Sequence, residues 1–302
     1  MTAIAVIFLF KVDFKIKKVY NMRIIIIGDK MKKLFKSLIF ILCIIFSLSA
    51  FTGCDSIKNI IDDGKKPNNE ETFDYVSFVN DISLDAMKGV ITVKCKFTET
   101  DFFGRPTEEV TYTQGSGEII AEKQGVYYAL TNNHVVFTSS SKVTKEFTVI
   151  DYRGNEYTAS LLAQSKSDDL ALLSFNKDKE TLKVFNIATE NPKEDTQIVA
   201  LGAPLSQYNC ITLGNVQGYS TVQTDPSKGS DIKYEVITHT AFIDNGSSGG
   251  ALIDYDFNLI GVNFAGGTGV ESGEWVESYA IPILNVVAFI NAYETAEEID
   301  LI

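Results

Sequence analysis

Histidine, cysteine and long apolar runs are all scarce in this sequence. Only two histidines occur among its 302 residues, and the four cysteines, Cys43, Cys54, Cys95 and Cys210, are scattered without a Cys-x-x-Cys pair. A zinc or iron–sulfur site would have almost no ligands available, so we expect no metal and no other cofactor. Cys95 and Cys210 could pair in an oxidising compartment, but two free buried thiols are the expected state.

Positive charge is scarce outside the first 53 residues. Those residues hold nine of the 27 Lys and Arg side chains but only two of the 39 acids, Asp13 and Asp29. The rest of the chain therefore has 18 basic and 37 acidic side chains, a net charge of −19. Such a surface repels phosphate backbones, so we expect no nucleic-acid partner.

The basic N-terminal region contains a predicted export signal. From Met31 the chain reads MKKLFKSLIFILCIIFSLSAFTGC, in which lysines precede an apolar stretch too short to span a membrane. Residues 31–53 are therefore predicted to be a signal peptide. The segment ending at Cys54 resembles the lipobox of bacterial lipoproteins, although Phe51 replaces the usual Leu. This resemblance implies lipidation of Cys54 and an extracytoplasmic, membrane-anchored protein; an ordinary signal peptide with an incidental cysteine is the alternative.

The rest of the chain divides into an extension, a tether and one folded unit. Residues 1–30 precede a complete signal, and we predict that they are dispensable or not translated, with initiation at Met31. Residues 54–79 are largely polar and charged and predict a flexible tether. Residues 80–298 are expected to form one domain, because a chain of this length suits a single core-bearing unit.

Strand-like patterns dominate this domain. Short alternating or β-branched runs are separated by turn residues, and they predict an all-β fold in two groups divided by a gap near residues 176–194. Only residues 282–294 predict a helix. Pro282 would be its first residue, and the apolar side chains Ile283, Val286, Val287 and Ile290 would share one face.

Three segments contain the residue types that serine proteolysis needs: a nucleophilic hydroxyl, a base and an orienting carboxylate. Residues 245–252, NGSSGGAL, place two serines between glycines that let backbone amides approach a substrate closely. Residues 128–136, YALTNNHVV, form a predicted strand that ends in a polar turn with His134. Residues 167–173, SDDLALL, place Asp168 and Asp169 directly before an apolar strand.

The two histidines restrict the choice of base. A serine–histidine mechanism must use His134 or His239, and His239 lies in a predicted strand, where a structural role or a place in the wall of the substrate cleft is expected. The order histidine, aspartate, serine is that of chymotrypsin and differs from that of α/β-hydrolases. A histidine that only stabilises a turn is the alternative for His134.

These segments resemble those of HtrA/Deg-type trypsin-like serine proteases. The segments LTNNHVV, DLALL, GSGEII, GAP and AIP extend the resemblance over about residues 85–290. It implies a chymotrypsin-like fold of two antiparallel six-stranded β-barrels, at about residues 85–176 and 194–282, with a short C-terminal helix. It also implies a catalytic triad of His134, Asp169 and Ser248, with the backbone amides of Gly246 and Ser248 as the oxyanion hole; Asp168 is then a solvated loop charge.

The sequence also departs from that family. Thr240 stands where these enzymes usually have Asp, and Ser247 replaces the usual Asn, so activity is expected to be conditional on loop ordering. The resemblance places the substrate pocket near Phe242, Ile243 and Phe264. Because no Asp occupies the base position held by Phe242, we expect a small-to-medium aliphatic preference.

The expected function is that of an extracytoplasmic serine endopeptidase that cleaves unfolded or misfolded polypeptides. We expect no PDZ domain before the end at Ile302, and a homotrimer is one assembly that the resemblance implies. Two alternatives stay open: a catalytically silent peptide-binding lipoprotein that keeps the fold, and an esterase, which the strand-rich pattern and residue order disfavour.

Overall fold

A helix opens the part of the chain that the computed structural model describes, which comprises residues 74–176, 181–203, 210–268 and 275–302. This helix, α1 (Tyr75–Leu84), is followed by a 3-10 turn at Ala86–Gly89. The predicted tether was expected to reach residue 79, but the helix begins earlier because Phe78 and Ile82 bury apolar side chains in the core. The predicted signal peptide and Cys54 lie outside the described residues.

The first barrel is closed by six antiparallel strands in the order β1-β2-β3-β6-β5-β4. They are β1 (Val90–Thr100), β2 (Pro106–Lys123), β3 (Val126–Thr131), β4 (Val143–Ile150), β5 (Glu156–Ser165) and β6 (Leu170–Asn176). Strand β2 joins two predicted strands, Glu109–Thr113 and Glu118–Ala121, into one. The glycines between them, Gly115 and Gly117, continue the pairing with β1 opposite Val93 and Ile91.

The second barrel has the strand order β11-β8-β9-β10-β13-β12, and pairing of β11 with β12 closes it. Its strands are β8 (Gln197–Gly202), β9 (Cys210–Ser220), β10 (Val236–His239), β11 (Ala251–Asp254), β12 (Asn258–Thr268) and β13 (Trp275–Pro282). A two-residue strand, β7 (Asn186–Ile187), lies in the predicted gap and pairs in parallel with β12. The predicted all-β fold of two six-stranded barrels is confirmed.

The C-terminal helix is confirmed with different bounds. Helix α3 (Ile283–Glu297) buries Ile283, Val286, Phe289 and Ile290, while Val287 is half-buried against the same cluster. Pro282 caps the helix with an extended backbone (φ −64°, ψ 147°) and is not its first residue. A single helical turn, α2 (Asn133–Val136), also follows β3, so the described chain has helices that the periodicity did not predict.

An apolar seam joins the two barrels. We use this name for the buried cluster that includes Ile120, Leu130 and Leu172 of the first barrel and Val199, Leu201 and Val262 of the second. Apolar burial of this kind stabilises by roughly 25 cal/mol per Å². The seam therefore fixes how the loops of one barrel meet those of the other. None of the helices in the described residues is long and apolar enough to cross a bilayer.

Candidate active site

The paired strands β3 and β6 bring His134 and Asp169 together. Thr131 of β3 lies opposite Ala171 of β6, so the loops just beyond these residues are adjacent. His134 Nδ1 is 2.8 Å from Asp169 Oδ2, and the His134 backbone amide donates to Asp169 Oδ1 at 2.9 Å. The Asp169 side chain is fully buried, whereas 28% of the His134 side chain is exposed. A buried carboxylate thus holds an imidazole that can still reach a substrate.

Two asparagines hold the backbone of Asp169, and sequence reasoning missed their role. Asp169 adopts the left-handed region at φ +51°, which costs free energy for a residue other than glycine. Its carbonyl accepts hydrogen bonds from Asn132 Nδ2 at 2.9 Å and from the Asn133 amide at 3.1 Å. Asn133 Nδ2 in turn donates to the Gly229 carbonyl at 2.6 Å. The TNN triplet before the histidine could have signalled this, since Asn side chains readily bond to backbone groups.

Ser248 lies on the loop between β10 and β11, packed against the segment that carries His134. A Cβ atom on Gly115 would lie 2.5 Å from Val135 Cγ2 and 2.8 Å from the Ser248 carbonyl oxygen. A Cβ on Gly249 would lie 2.9 Å from the Asn132 nitrogen. Glycine at both positions is therefore needed for this approach, which places the loop of Ser248 beside the segment that contains His134.

The hydroxyl of Ser248 is not bonded to the imidazole. Ser248 Oγ donates to the Phe264 carbonyl at 3.1 Å, and within the described residues no hydrogen bond joins it to His134. The orientation of this side chain was not predictable from the motif, because the accepting carbonyl belongs to the distant strand β12.

The loop before Ser248 leaves two amides available. Gly246 adopts φ +94°, a conformation that glycine enters without strain. The intervening Ser247 amide donates to the Asp244 carbonyl at 2.9 Å, and the Gly249 amide donates to the Asn263 carbonyl at 2.7 Å. Among the residues with described positions, the amides of Gly246 and Ser248 have no acceptor. Two donors free to bind an anionic oxygen are the requirement of an oxyanion hole.

The three predicted pocket residues line one cavity together with Ser248. This cavity has a volume of about 390 Å³ and is walled by Phe242, Ile243 and Phe264. Ile243 and Phe264 are buried, whereas Phe242 is 45% exposed. Asp244 also lines the cavity, which sequence reasoning did not consider. Because Phe242, Ile243 and Phe264 give the cavity an apolar side and it opens beside Ser248, it can accept an apolar side chain.

The remaining residues named from the sequence are His239, Cys95 and Cys210, and they lie in or at the edge of the protein interior. His239 is fully buried in β10, so it is not part of a cleft wall. Burial lowers the pKa of His239 to about 4, against the opposing effects of Asn263 and the Ala241 backbone, and the ring is neutral at pH 7. Cys95 and Cys210 are both free; Cys95 is buried, as expected, but Cys210 only partly so.

The two departures from the family pattern both make loop hydrogen bonds. Thr240 Oγ1 accepts from the Asn215 amide at 2.9 Å and so connects the end of β10 to β9. Ser247 Oγ accepts from the Asp244 amide at 3.4 Å. Both hydroxyl groups therefore bond to backbone amides close to them.

Comparisons with known proteins agree with this fold. Residues 115–262 match the model of the trypsin-like peptidase domain. The chain is 29% identical over 201 residues to the serine protease Do-like HtrA of Bacillus subtilis, covering 64% of this chain and 43% of that protein. It is 32% identical over 153 residues to a probable periplasmic serine protease do/HhoA-like of Haemophilus influenzae, covering 50% and 30% respectively.

A solved structure shares the fold. The Rv3671c protease from M. tuberculosis, in its active form, superposes with a TM-score of 0.55 at 20% identity, covering 72% of this chain and 86% of that one.

The chain spans less than half the length of the two curated relatives it matches here. The predicted resemblance to HtrA/Deg-type trypsin-like serine proteases is thus confirmed.

Proposed function

We propose that the protein is a serine endopeptidase in which Ser248 is the nucleophile, His134 the general base and Asp169 the residue that orients the base. The observation that carries this proposal is the 2.8 Å hydrogen bond between His134 Nδ1 and the buried Asp169 carboxylate. With Nδ1 engaged, the proton is kept on that nitrogen, and Nε2 is the atom left to accept the proton of a hydroxyl.

The reaction begins with rotation of Ser248 Oγ away from the Phe264 carbonyl. Oγ attacks the scissile carbonyl carbon while its proton passes to His134 Nε2, and the amides of Gly246 and Ser248 stabilise the resulting oxyanion. Collapse breaks the C–N bond, and His134 gives its proton to the leaving amine. Water then attacks the acyl-enzyme, His134 takes a proton from it, and Ser248 is regenerated with release of the carboxylic acid.

The cavity beside Ser248 supports the proposed preference for small-to-medium aliphatic side chains before the scissile bond. Burial of such a side chain against Ile243 and Phe264 would contribute roughly 1–3 kcal/mol. Asp244 is the one acid among the described residues of its wall, and its amide and carbonyl both bond within the loop. Peptides that differ only in a Val or an Arg at this position should differ at least tenfold in kcat/KM in favour of Val. Equal values would contradict the preference.

We further propose that the enzyme works outside the cytoplasm, anchored through a lipid on Cys54. The signal-like segment before Cys54 and the periplasmic relative support this location. Unfolded or misfolded polypeptides are the proposed substrates, and a homotrimer is the proposed assembly. The mature protein should fractionate with membranes, and Cys54→Ala should release it. Recovery of the Cys54→Ala variant in the membrane fraction, or of the wild type in the soluble fraction, would contradict the lipid anchor.

Labelling with a fluorophosphonate probe tests the proposed chemistry. The probe reacts with an activated serine hydroxyl, so the wild-type chain should be labelled and Ser248→Ala should lose all labelling. Ser247→Ala, which changes the neighbouring hydroxyl, is the matched control and should keep its label. A silent peptide-binding protein would remain unlabelled in the wild type. An esterase would hydrolyse a short-chain ester but leave casein intact.

A further inference from the structure

Ser116, on β2 of the first barrel, makes four hydrogen bonds, and two of them reach the loop of the second barrel that carries Ser248. Its hydroxyl donates to the Gly246 carbonyl at 2.7 Å and accepts from the Ala203 amide at 2.8 Å. Its own amide donates to the Ser248 carbonyl at 2.8 Å. Its carbonyl accepts from Thr131 Oγ1 at 2.7 Å. The side chain is completely buried, so these bonds are shielded from water.

These bonds restrain the peptide groups on either side of the candidate oxyanion hole. The Gly246–Ser247 peptide is fixed at both ends, since its carbonyl accepts from Ser116 Oγ and its amide donates to the Asp244 carbonyl. The Ser248–Gly249 peptide is likewise fixed by the Ser116 and Asn263 backbones. The free amides of Gly246 and Ser248 belong to the peptide groups next to these two fixed peptides. The fixed peptides therefore restrict the directions of the two free N–H groups.

The hydroxyl of Ser116 lies close to the backbone of the second barrel. A Cβ on Gly202 would lie 3.1 Å from Ser116 Oγ and 3.3 Å from the Ser247 Cα atom. Loss of the hydroxyl would thus leave the Gly246 carbonyl and the Ala203 amide without a partner, and the loop would shift to satisfy them.

We propose that Ser116 is a positioning residue that holds the oxyanion-hole amides of Gly246 and Ser248 in their catalytic orientation from across the seam. The proposal rests on the function proposed above. Ser116 does not touch the reacting atoms, and its effect passes entirely through the carbonyl groups of Gly246 and Ser248. Because an oxyanion forms only in the transition state, a shifted hole should slow the chemical step and leave ground-state binding of the peptide unchanged.

The variant Ser116→Ala tests this inference. We expect kcat for a Val-ended peptide to fall about tenfold or more, with KM within twofold of the wild-type value, since loss of an oxyanion donor itself costs about 100- to 1,000-fold. Affinity for a peptide aldehyde, whose tetrahedral adduct needs the hole, should fall by a similar factor. Affinity for a non-reactive product peptide should stay within twofold.

Thr131→Val is the matched control. It removes a buried hydroxyl that bonds at the same 2.7 Å but donates to the Ser116 carbonyl and makes no hydrogen bond with the loop, so its thermal stability should fall like that of Ser116→Ala while kcat stays within threefold. Unchanged kcat in Ser116→Ala, or an equal loss in Thr131→Val, would overturn the positioning role. A wild type that the fluorophosphonate does not label would overturn the proposed function itself, and this inference with it.

Discussion

In the first barrel, His134 and Asp169 are held by contacts between the ends of two neighbouring strands, β3 and β6. In the second barrel, Ser248 lies on a loop whose restraints come partly from Ser116, on the other side of the seam. The base and its acid are therefore held mainly by groups of one barrel, although Asn133 also bonds to Gly229 of the second, whereas the nucleophile loop depends on the docking of both. A substitution at the acid or base in the first barrel should lower activity with little effect on stability. A substitution at the seam should affect both activity and stability.

The largest expected effect comes from Asp169→Asn, which changes the half of the site held within one barrel. An amide nitrogen facing His134 Nδ1 would favour the wrong imidazole tautomer, and kcat should fall by about 10⁴-fold. Asn tolerates the left-handed backbone that Asp169 adopts at φ +51°, so the fold should persist. Steady-state kinetics give the loss in kcat, and thermal unfolding should show a change of only a few degrees.

Asp168→Asn is the control for that experiment. Asp168 is adjacent in sequence, but its carboxylate bonds to Ser165 and Ser167 on the protein surface and not to His134. We expect its kcat to stay within twofold of the wild type. If the two variants lost activity equally, the effect would come from loop charge, and the comparison between the two halves of the site would fail.

Sequence alone identified the strands and the three catalytic candidates because each candidate lies between a turn and an apolar run. It could not give the single strand β2, since the alternating pattern predicts two separate strands on either side of Gly115 and Gly117. A Cβ on Gly117 would lie 2.6 Å from the Leu130 carbonyl oxygen, so tertiary packing requires glycine within a strand there. Ser116 was likewise quoted only as part of a motif, because its partners Ala203 and Gly246 are far away along the chain.

The burial of Glu118 also depends on tertiary structure. It is a property of the seam and not of the interior of the first barrel. Glu118 lies opposite Val90 and Leu130, both members of the apolar seam, and its side chain is fully buried. Neither carboxyl oxygen has a hydrogen-bond partner among the described residues. Burial raises the pKa of Glu118 well above its ordinary value of 4.5, because desolvation disfavours the charged carboxylate at a position where an alternating pattern would suggest a solvated one.

The smallest expected effect is therefore a pH dependence of stability that originates in the seam. Below pH 4.5 the carboxyl of Glu118 is protonated in both folded and unfolded chains, and its contribution to stability is fully present. As the pH rises toward the raised pKa of the folded state, the unfolded chain releases this proton first, and the free energy of unfolding falls.

Glu118→Leu and the near-isosteric Glu118→Gln should both lack this decline. Their melting temperatures should rise relative to the wild type between pH 5 and pH 8, by a few degrees, about the change that 1 kcal/mol produces in a domain of this size. Glu122 of the same strand is only half-buried and its carboxylate accepts from the Gly125 amide, so it supplies the control, and Glu122→Gln should follow the wild-type profile. If the melting temperature of the wild type changed with pH in the same way as those of both Glu118 variants, ionisation of this carboxyl would not affect stability. The prediction would then be wrong.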